Sequence, residues 1–368
     1  MSRTRRLLMI VAVLCLLAAA CGDGESDGDT ATDGAVEGSE TAEEAATDAD
    51  TTSDNGDGDG DDGDDAAEDE AAADDEVGEV TVVDAVGEVT LTATDAGVYV
   101  LDESAAVGLL TLEVEPLAVE RFFQDVAVAP VLELTGVNTV DPGSVEAIAA
   151  AEPSLIVGVG HPTFLEARPQ HEGVAPVVTP DFTTSWSDQL EVFATATGTT
   201  DRAGAVTAAV QARIDTLRAD LAAAGFDGGE ASIIQTFGSD YYSYGPTTLA
   251  GDLLQQLGFT RSEIQTDTDQ FGFVQISPEL LAQETDADVV FAVAGSDSGG
   301  VSVLDHPTVD VGDTPAGVVL EVWFQNHALA AWIILDDIEA ILLGDGRTTS
   351  LDDVADVWTD LLTAVDAS

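Results

Sequence analysis

DRAGAVTAAVQARIDTLRADLAAA, residues 201–224, is the most regular element of the sequence. Its apolar residues recur at steps of four, four, three and four positions, at Val206, Val210, Ile214, Leu217 and Leu221. This spacing places them on one face of an α-helix, and the following Gly225 is a typical helix terminator. At 1.5 Å per residue, such a helix is about 35 Å long. A helix of this length is well suited to join two folded halves.

Strand-like and helix-like segments alternate on both sides of this helix. Before it, the patterns predict strands over 80–93 (a hairpin), 98–101, 153–159 and 174–178, and helices over 145–151 and 186–197. After it, they predict strands over 231–236, 289–293 and 317–322, and helices over 247–257, 277–284, 327–343 and 350–365. Such alternation is typical of α/β folds. We therefore expect two Rossmann-like α/β lobes, 78–200 and 226–368, joined by one long bridging α-helix over 201–225.

The N-terminal region carries export signals rather than a fold. Residues 1–20 combine three arginines with an apolar run that is too short to span a bilayer comfortably, as in a secretory signal peptide. The small residues before Cys21 resemble the bacterial lipobox, which implies lipidation of Cys21; an incidental cysteine after an ordinary signal is the alternative. Residues 22–76 hold 24 Asp or Glu and no Lys or Arg, so we predict that 21–77 is a disordered acidic tether. The protein is expected on the outer face of the bacterial cytoplasmic membrane.

The charge balance excludes several classes of function. The whole chain has a formal net charge of −61, and residues 77–368 keep 47 of the 71 acidic residues against seven arginines and no lysine. This composition argues against nucleic-acid binding and excludes lysine-dependent phosphate loops and Schiff-base chemistry. The sequence contains neither G-x-S-x-G nor H-E-x-x-H, and Cys21 is the one cysteine left after signal removal. We therefore predict a protein that is not an enzyme, with no catalytic residues.

Four segments of the lobes resemble a known family. They are VYVLDESAAVGLLTLEVEP (98–116), SVEAIAAAEPSLIVG (144–158), VAPVV (174–178) and ISPELLAQETDADVVFA (276–292). In order and spacing, they are similar to the iron-siderophore and vitamin-B12 class of ABC-transporter substrate-binding proteins. Glu113 and Ser154 depart from the usual Gly and Asp of these segments. The resemblance covers about 97–365 and implies the class III substrate-binding fold, in which the ligand lies between the lobes.

Ligands of open α/β sheets bind beyond the carboxyl ends of the strands, so the loops after the strands are the candidate contacts. Several of these loops carry aromatic residues, a histidine or an arginine, which suit a flat, partly aromatic chelate. The predicted ligand-binding residues are Arg121, His161, Phe164, Trp186, Tyr241, Tyr242, Tyr244 and Trp323. Each has a structural alternative: a surface ion pair for Arg121, a helix cap for His161 and packing in the core for the aromatics.

The family resemblance also implies how such a protein would meet its transporter. One acidic residue of each lobe docks onto arginines of the permease in that family, and the matching positions are Glu146 and Glu279. Each carboxylate lies where a helix is predicted to begin. There, a favourable interaction with the helix dipole explains it equally well.

The sequence thus predicts a monomeric lipoprotein that captures a ferric siderophore and delivers it to an ABC importer, with no covalent cofactor and no resident metal. Cobalamin or haem is the alternative cargo within transport. Direct binding of Fe³⁺ by Tyr241 and Tyr242 is a further alternative, as is a zinc or manganese site built from His161, His171, His306 and His327. A surface protein that serves adhesion or sensing without transport is the alternative from another class.

Overall fold

The structure is a computed structural model, and it describes residues 78–295, 302–307, 309 and 315–368. The signal peptide, Cys21 and the acidic tether lie outside the described residues, so those predictions stand as predictions. The lobe boundaries predicted at 78, 200 and 225 likewise stay predictions.

A β-hairpin opens the described part of the chain. Strands β1 (Glu79–Asp84) and β2 (Gly87–Thr92) pair antiparallel with Asp84 opposite Gly87. The hairpin attaches to the first lobe through its tip, where the Ala85 N–H donates to the carbonyl of Thr179 at 3.0 Å. It therefore flanks the loop that follows the last strand of that lobe.

The first lobe is a five-stranded parallel sheet with the strand order β5-β4-β3-β6-β7. Its strands are β3 (Val98–Val100), β4 (Ala118–Glu120), β5 (Thr139–Val140), β6 (Leu155–Val157) and β7 (Val177–Val178). Its helices are α1 (Glu103–Thr111), α2 (Ala129–Thr135), α3 (Val145–Ala150), α4 (Pro162–His171) and α5 (Trp186–Thr197). The strands β3, β4 and β6 are buried along their whole length, which is the pattern expected of a parallel sheet covered by helices.

The bridging helix is α6 (Thr200–Ala224), and it confirms the periodicity of the opening segment. The five apolar positions that predicted its buried face are all buried, and Gly225 ends the helix with a φ of 98°. Val206 and Leu217 belong to one continuous core that also contains Val100 of the first lobe and Phe291 of the second. The helix is therefore part of the core that joins both lobes.

The second lobe contains a mixed five-stranded sheet with the order β10-β9-β8-β11-β12. Its strands are β8 (Ala231–Phe237), β9 (Asp240–Tyr244), β10 (Phe273–Ile276), β11 (Val289–Ala294) and β12 (Pro315–Val319). Its helices are α7 (Leu249–Gln256), α8 (Glu263–Thr266), α9 (Leu281–Glu284), α10 (Leu320–Trp323), α11 (Ala328–Leu342) and α12 (Val354–Asp366). Short 3₁₀ turns cover Val303–Asp305 and Leu351–Asp353. Two α/β lobes joined by one long helix confirm the predicted fold class.

Three predicted elements of this lobe differ from the structure. The segment with the three tyrosines was expected to be a loop, but it is the interior strand β9, paired with both β8 and β10. The strand predicted over 317–322 ends at Val319, because its partner β11 ends opposite it at Ala294. The helix predicted over 277–284 is shorter and begins after a turn, at Leu281.

None of the helices in the described ranges is long and apolar enough to cross a membrane.

Candidate ligand-binding cleft

Aromatic side chains from three loops of the first lobe meet beyond the carboxyl ends of its strands. Phe122 and Phe123 follow β4, His161 and Phe164 follow β6, and Phe182 follows β7. Phe123 packs edge-on against His161 with ring centroids 5.8 Å apart, and His161 lies 5.9 Å from Phe182. The parallel sheet brings these loops together because its strands all end on the same edge.

His161 caps a helix and also packs among the aromatic side chains. It is the N-cap of α4, where its Nδ1 accepts from the Thr163 N–H at 3.4 Å. Its ring also belongs to the aromatic group just described. Burial lowers the pKa of His161, so the ring is neutral at pH 7 and its face remains available for stacking.

The second lobe adds two aromatic contacts to this region. Phe271, in the loop before β10, stacks on Phe182 with a centroid distance of 5.7 Å and an interplanar angle of 29°. Phe273 stacks on Phe324 at 5.7 Å. Beside them, the Asn326 amide donates to the carbonyl of Thr184 at 2.9 Å. We call Phe123, His161, Phe182 and Phe271 the interlobe aromatic group, because it takes residues from both lobes.

A small cavity lies between the first turns of α5 and α11. Its volume is about 10 Å³, roughly the space of one water molecule. Val159 and Trp186 of the first lobe line it, together with Asn326 and His327 of the second. It is therefore formed by both lobes, and Trp186 is buried against it.

His327 and Gln189 are the buried polar residues of this cavity. The Nδ1 of His327 accepts from the Ala330 N–H at 3.0 Å and thereby caps α11. The opposite ring nitrogen, Nε2, is buried without a hydrogen-bond partner in the described part of the chain. Burial lowers the pKa of His327 to about 4, so the imidazole is neutral at physiological pH.

Carboxylates position the loop that carries Phe123. The buried Glu103 accepts from the backbone N–H groups of Phe123 at 3.0 Å and Asp125 at 3.3 Å. Burial raises the pKa of Asp125 to about 7, and Glu103 and Glu321 add to the increase. Burial also raises the pKa of Asp102 to about 6, although its carboxylate accepts from the Ala105 and Val159 N–H groups. Titratable acids thus lie next to the cleft.

The structure corrects the position of two predicted tyrosine contacts. The phenol of Tyr244 is buried, donates to Gln235 Oε1 at 2.9 Å and packs edge-on against Phe273. Tyr241 points to the other face of the sheet, where it packs in a separate core cluster and against His306. Adjacent strand residues alternate between the two faces, so a single cleft cannot receive all three side chains.

Tyr242 keeps part of its ring exposed on the face that it shares with Tyr244. Burial raises the pKa of Tyr242, and the nearby Asp240 and Asp269 increase it further, so the phenol stays protonated. Tyr242 is the one tyrosine of β9 that remains available to a ligand.

Trp323 is also a core residue rather than a cleft residue. It is 1% exposed, its indole N–H donates to Asp337 Oδ2 at 2.9 Å, and its ring packs on Phe291. The prediction that it contacts the ligand is therefore corrected. The chain turns into α10 directly after β12, which directs this side chain back over the sheet.

The remaining predicted contacts have different environments. Arg121 is exposed and forms an ion pair with Asp141 at 2.7 Å. The structure therefore shows the surface ion pair that was the alternative to a ligand contact. Phe164 is buried beneath the interlobe aromatic group, 4.6 Å from the ring of Phe122. It supports the cleft from below. Glu146 and Glu279 are exposed, one in each lobe, and their docking role stays a prediction.

Phe182, Phe271 and Phe324 were not among the predicted ligand-binding residues, and His327 was named for an alternative metal site alone. Phe182, Phe324 and His327 follow predicted strands, so the rule that selected the other loops included them without distinguishing them. Phe271 had no such signal, since its stacking partner Phe182 belongs to the other lobe.

Two further features of the surface are relevant to ligand binding. A depression of about 560 Å³ lies beside the edge strand β7, but its lining of Thr90, Arg168, Val177 and neighbouring residues contains no aromatic side chain. Within the described ranges, no group of three or more His, Cys, Asp or Glu side chains could hold a metal ion.

The chain is similar to known binding proteins of transport systems. Residues 101–311 match the family model described as periplasmic binding protein. A probable siderophore-binding lipoprotein, YfiY, of Bacillus subtilis (strain 168) is 30% identical over 154 residues, which are 40% of this chain and 46% of that protein. The chain thus matches about half the length of this relative.

Solved structures share the fold at low identity. One is a periplasmic binding protein component of a Fep/Fec-like ferrichrome ABC transporter from Bacillus subtilis, with a TM-score of 0.59, 23% identity and coverage of 70% of this chain and 98% of that one. Another is FhuD2 from Staphylococcus aureus with bound ferrioxamine B, with a TM-score of 0.54, 18% identity and coverage of 71% and 98%. Because the family match spans more than half of its length, this chain belongs to the periplasmic binding protein family.

Proposed function

We propose that this chain is the extracytoplasmic substrate-binding lipoprotein of an ABC importer, and that it captures a ferric siderophore between its lobes. The observation that carries the proposal is the interlobe aromatic group, in which Phe182 of one lobe meets Phe271 of the other at 5.7 Å. Rings contributed by both lobes offer stacking surfaces to a chelate held between them.

The charges near the cleft favour a neutral or weakly charged chelate. Arg121, the one arginine predicted to meet an anionic ligand, is engaged with Asp141. Glu103 and Asp125 lie beside Phe123 and supply no positive charge to pair with an anion. A ferric hydroxamate therefore suits this cleft better than a highly anionic tris-catecholate. The names of the relatives support the same class, since they refer to a siderophore, to ferrichrome and to ferrioxamine B.

Direct binding of Fe³⁺ by the tyrosine pair has less support. Tyr241 and Tyr242 are neighbours on one strand, so their phenols extend from opposite faces of the sheet. Two such groups cannot converge on one ion. Cobalamin or haem would also stack on aromatic rings, so these ligands remain arms of the binding experiment.

Delivery would take place at the membrane. We propose that Cys21 carries the lipid anchor and that the exposed Glu146 and Glu279 contact the permease. Glu146 lies in the first turn of α3, and its hydrogen bond with Ser144 lowers its pKa, so it is ionised at neutral pH. A charged group on each lobe is suited to dock both lobes onto basic residues.

Titration of the purified full chain tests the ligand class. The ligands are ferrioxamine B, ferrichrome, a ferric tris-catecholate, haem, cobalamin and a ferric salt, and the signal is quenching of tryptophan fluorescence. Trp186 lines the cavity and serves as a natural reporter. Saturable quenching by the ferric hydroxamates is expected. The absence of binding by every chelate would overturn the proposal, whereas binding of haem or cobalamin alone would replace the siderophore by that ligand.

Variants connect this binding to the interlobe aromatic group. Phe271→Ala removes the stacking partner of Phe182, and we expect it to weaken binding of a ferric hydroxamate about tenfold. The matched control is Phe226→Ala, because Phe226 forms a comparable pair with Phe259 at 6.5 Å where α6 ends. Equal losses in both variants would contradict the assignment of the cleft.

A further inference from the structure

His327 has one ring nitrogen that the fold uses and one that it does not. Nδ1 accepts the Ala330 N–H, so the lone pair of the neutral imidazole is at Nδ1 and the hydrogen is at Nε2. The residue is 6% exposed, and Nε2 is buried without a hydrogen-bond partner among the described residues. Buried donors of native proteins are almost always paired, so this donor calls for a partner that the described residues do not supply.

The cavity that His327 lines limits what this partner can be. Its volume of about 10 Å³ accepts a group of roughly the size of one oxygen atom. Trp186 and Val159 approach from the first lobe and His327 from the second, so an acceptor held there contacts both lobes. The imidazole is neutral, since burial lowers its pKa to about 4. A neutral donor suits a carbonyl-type oxygen that carries little charge.

We propose that the Nε2–H of His327 donates a hydrogen bond to a single acceptor oxygen of the bound chelate and thereby helps to select the ligand. This inference rests on the proposed function and deepens it. The interlobe aromatic group would supply stacking surface, which many flat ligands satisfy. A buried donor with room for one oxygen discriminates further, because a ligand without an acceptor at this point leaves the donor unpaired.

Two substitutions separate this role from the capping role of the same residue. His327→Asn keeps a side-chain acceptor for the Ala330 N–H, since Asn is a favourable N-cap, but it is too short to present a donor at the position of Nε2. His327→Gln places an amide N–H near that position but gives up the cap. The first variant therefore tests the ligand contact and the second tests the fold.

The experiment measures the Kd for ferrioxamine B by fluorescence quenching and the Tm by circular dichroism, in the full chain. For His327→Asn we expect a Kd raised on the order of tenfold and a Tm close to that of the wild type. For His327→Gln we expect a Tm lower by about 2–4 °C and a Kd within about threefold of the wild-type value.

The outcomes distinguish the His327 contact from the proposed function. If the wild type binds ferrioxamine B and His327→Asn binds it equally well, the His327 contact is overturned and the proposed function stands. If both variants lose affinity in proportion to their loss of Tm, His327 has a structural role alone and the contact is again overturned. If the wild type binds none of the chelates, the proposed function fails and this inference fails with it.

Discussion

Replacement of Arg168 by Met should destabilise the first lobe by about 3–5 kcal/mol, because it leaves a carboxylate buried without its cation. Arg168 donates to Asp84 Oδ2 at 2.6 Å, and the two side chains are 4% and 0% exposed. It also donates to Thr179 Oγ1 and to the carbonyl of Val177. Its bond to the half-exposed Glu172 adds little, since exposed pairs contribute about 0–1 kcal/mol.

Urea denaturation followed by circular dichroism measures this loss, and a fall in Tm of roughly 10 °C should accompany it. In the Asp84→Asn background the buried charge is gone, so Arg168→Met should cost about 2 kcal/mol less than it does in the wild type. The matched control is Arg347→Met, whose pair with Asp353 is 73% exposed on the arginine side and should change stability by less than about 1 kcal/mol. A loss below about 1 kcal/mol for Arg168→Met, or additive effects in the double variant, would refute the argument.

Three further outcomes follow from the structure. Stability should increase as the pH falls from 8 to 6.5, because the pKa of Asp125, about 7, is above its unfolded value and the folded chain protonates first; Tm measured over this range should change less in Asp125→Asn. Below about pH 6.5, His327 should oppose this increase in stability. Its imidazole stays neutral in the folded chain but takes up a proton in the unfolded chain, which favours unfolding. Tyr244→Phe should lower the unfolding free energy by about 1–2 kcal/mol, since Gln235 Oε1 loses a buried donor, and should leave the Kd for a ferric hydroxamate unchanged; a raised Kd would return Tyr244 to the cleft. Raising NaCl from 0.1 to 1 M should raise the Tm, because the Debye length falls from about 10 to 3 Å and the repulsion among the acidic residues is screened; a Tm independent of salt would show that this repulsion is negligible.

Periodic local patterns accounted for most of the fold. The helix over 201–224 was predicted within one residue of its observed bounds, because a buried face repeats at the period of the helix itself. The α/β alternation on both sides confirmed two lobes, since each buried strand of a parallel sheet carries its own apolar run. Strand ends were less accurate, as at 317–322, because a strand stops where its partner stops.

The candidate site was predictable in part. The rule that ligands lie beyond strand ends selected His161 and Trp186; His161 packs near Phe182 and Trp186 lines the cavity formed by both lobes, and their contact with a ligand stays a prediction. The same rule selected Tyr241, Tyr244 and Trp323, which belong to the core. The rule depends on where a segment lies along the chain. It does not indicate whether a segment expected to be a loop pairs with another strand. Pairing with β10 turned the tyrosine segment into an interior strand and divided its side chains between two faces.

By itself, the sequence determined the long helix, the two α/β lobes around it and the acidic character, because each depends on neighbouring residues; the signals for export stay a prediction. Only the tertiary structure decided which side chains meet. The stacking of Phe182 on Phe271 joins residues 89 positions apart, and the unused donor of His327 becomes visible once both lobes enclose it. The physical reason is that helix formation depends on contacts within a few residues, whereas a cleft depends on contacts between segments whose separation in sequence carries no information about their distance in space.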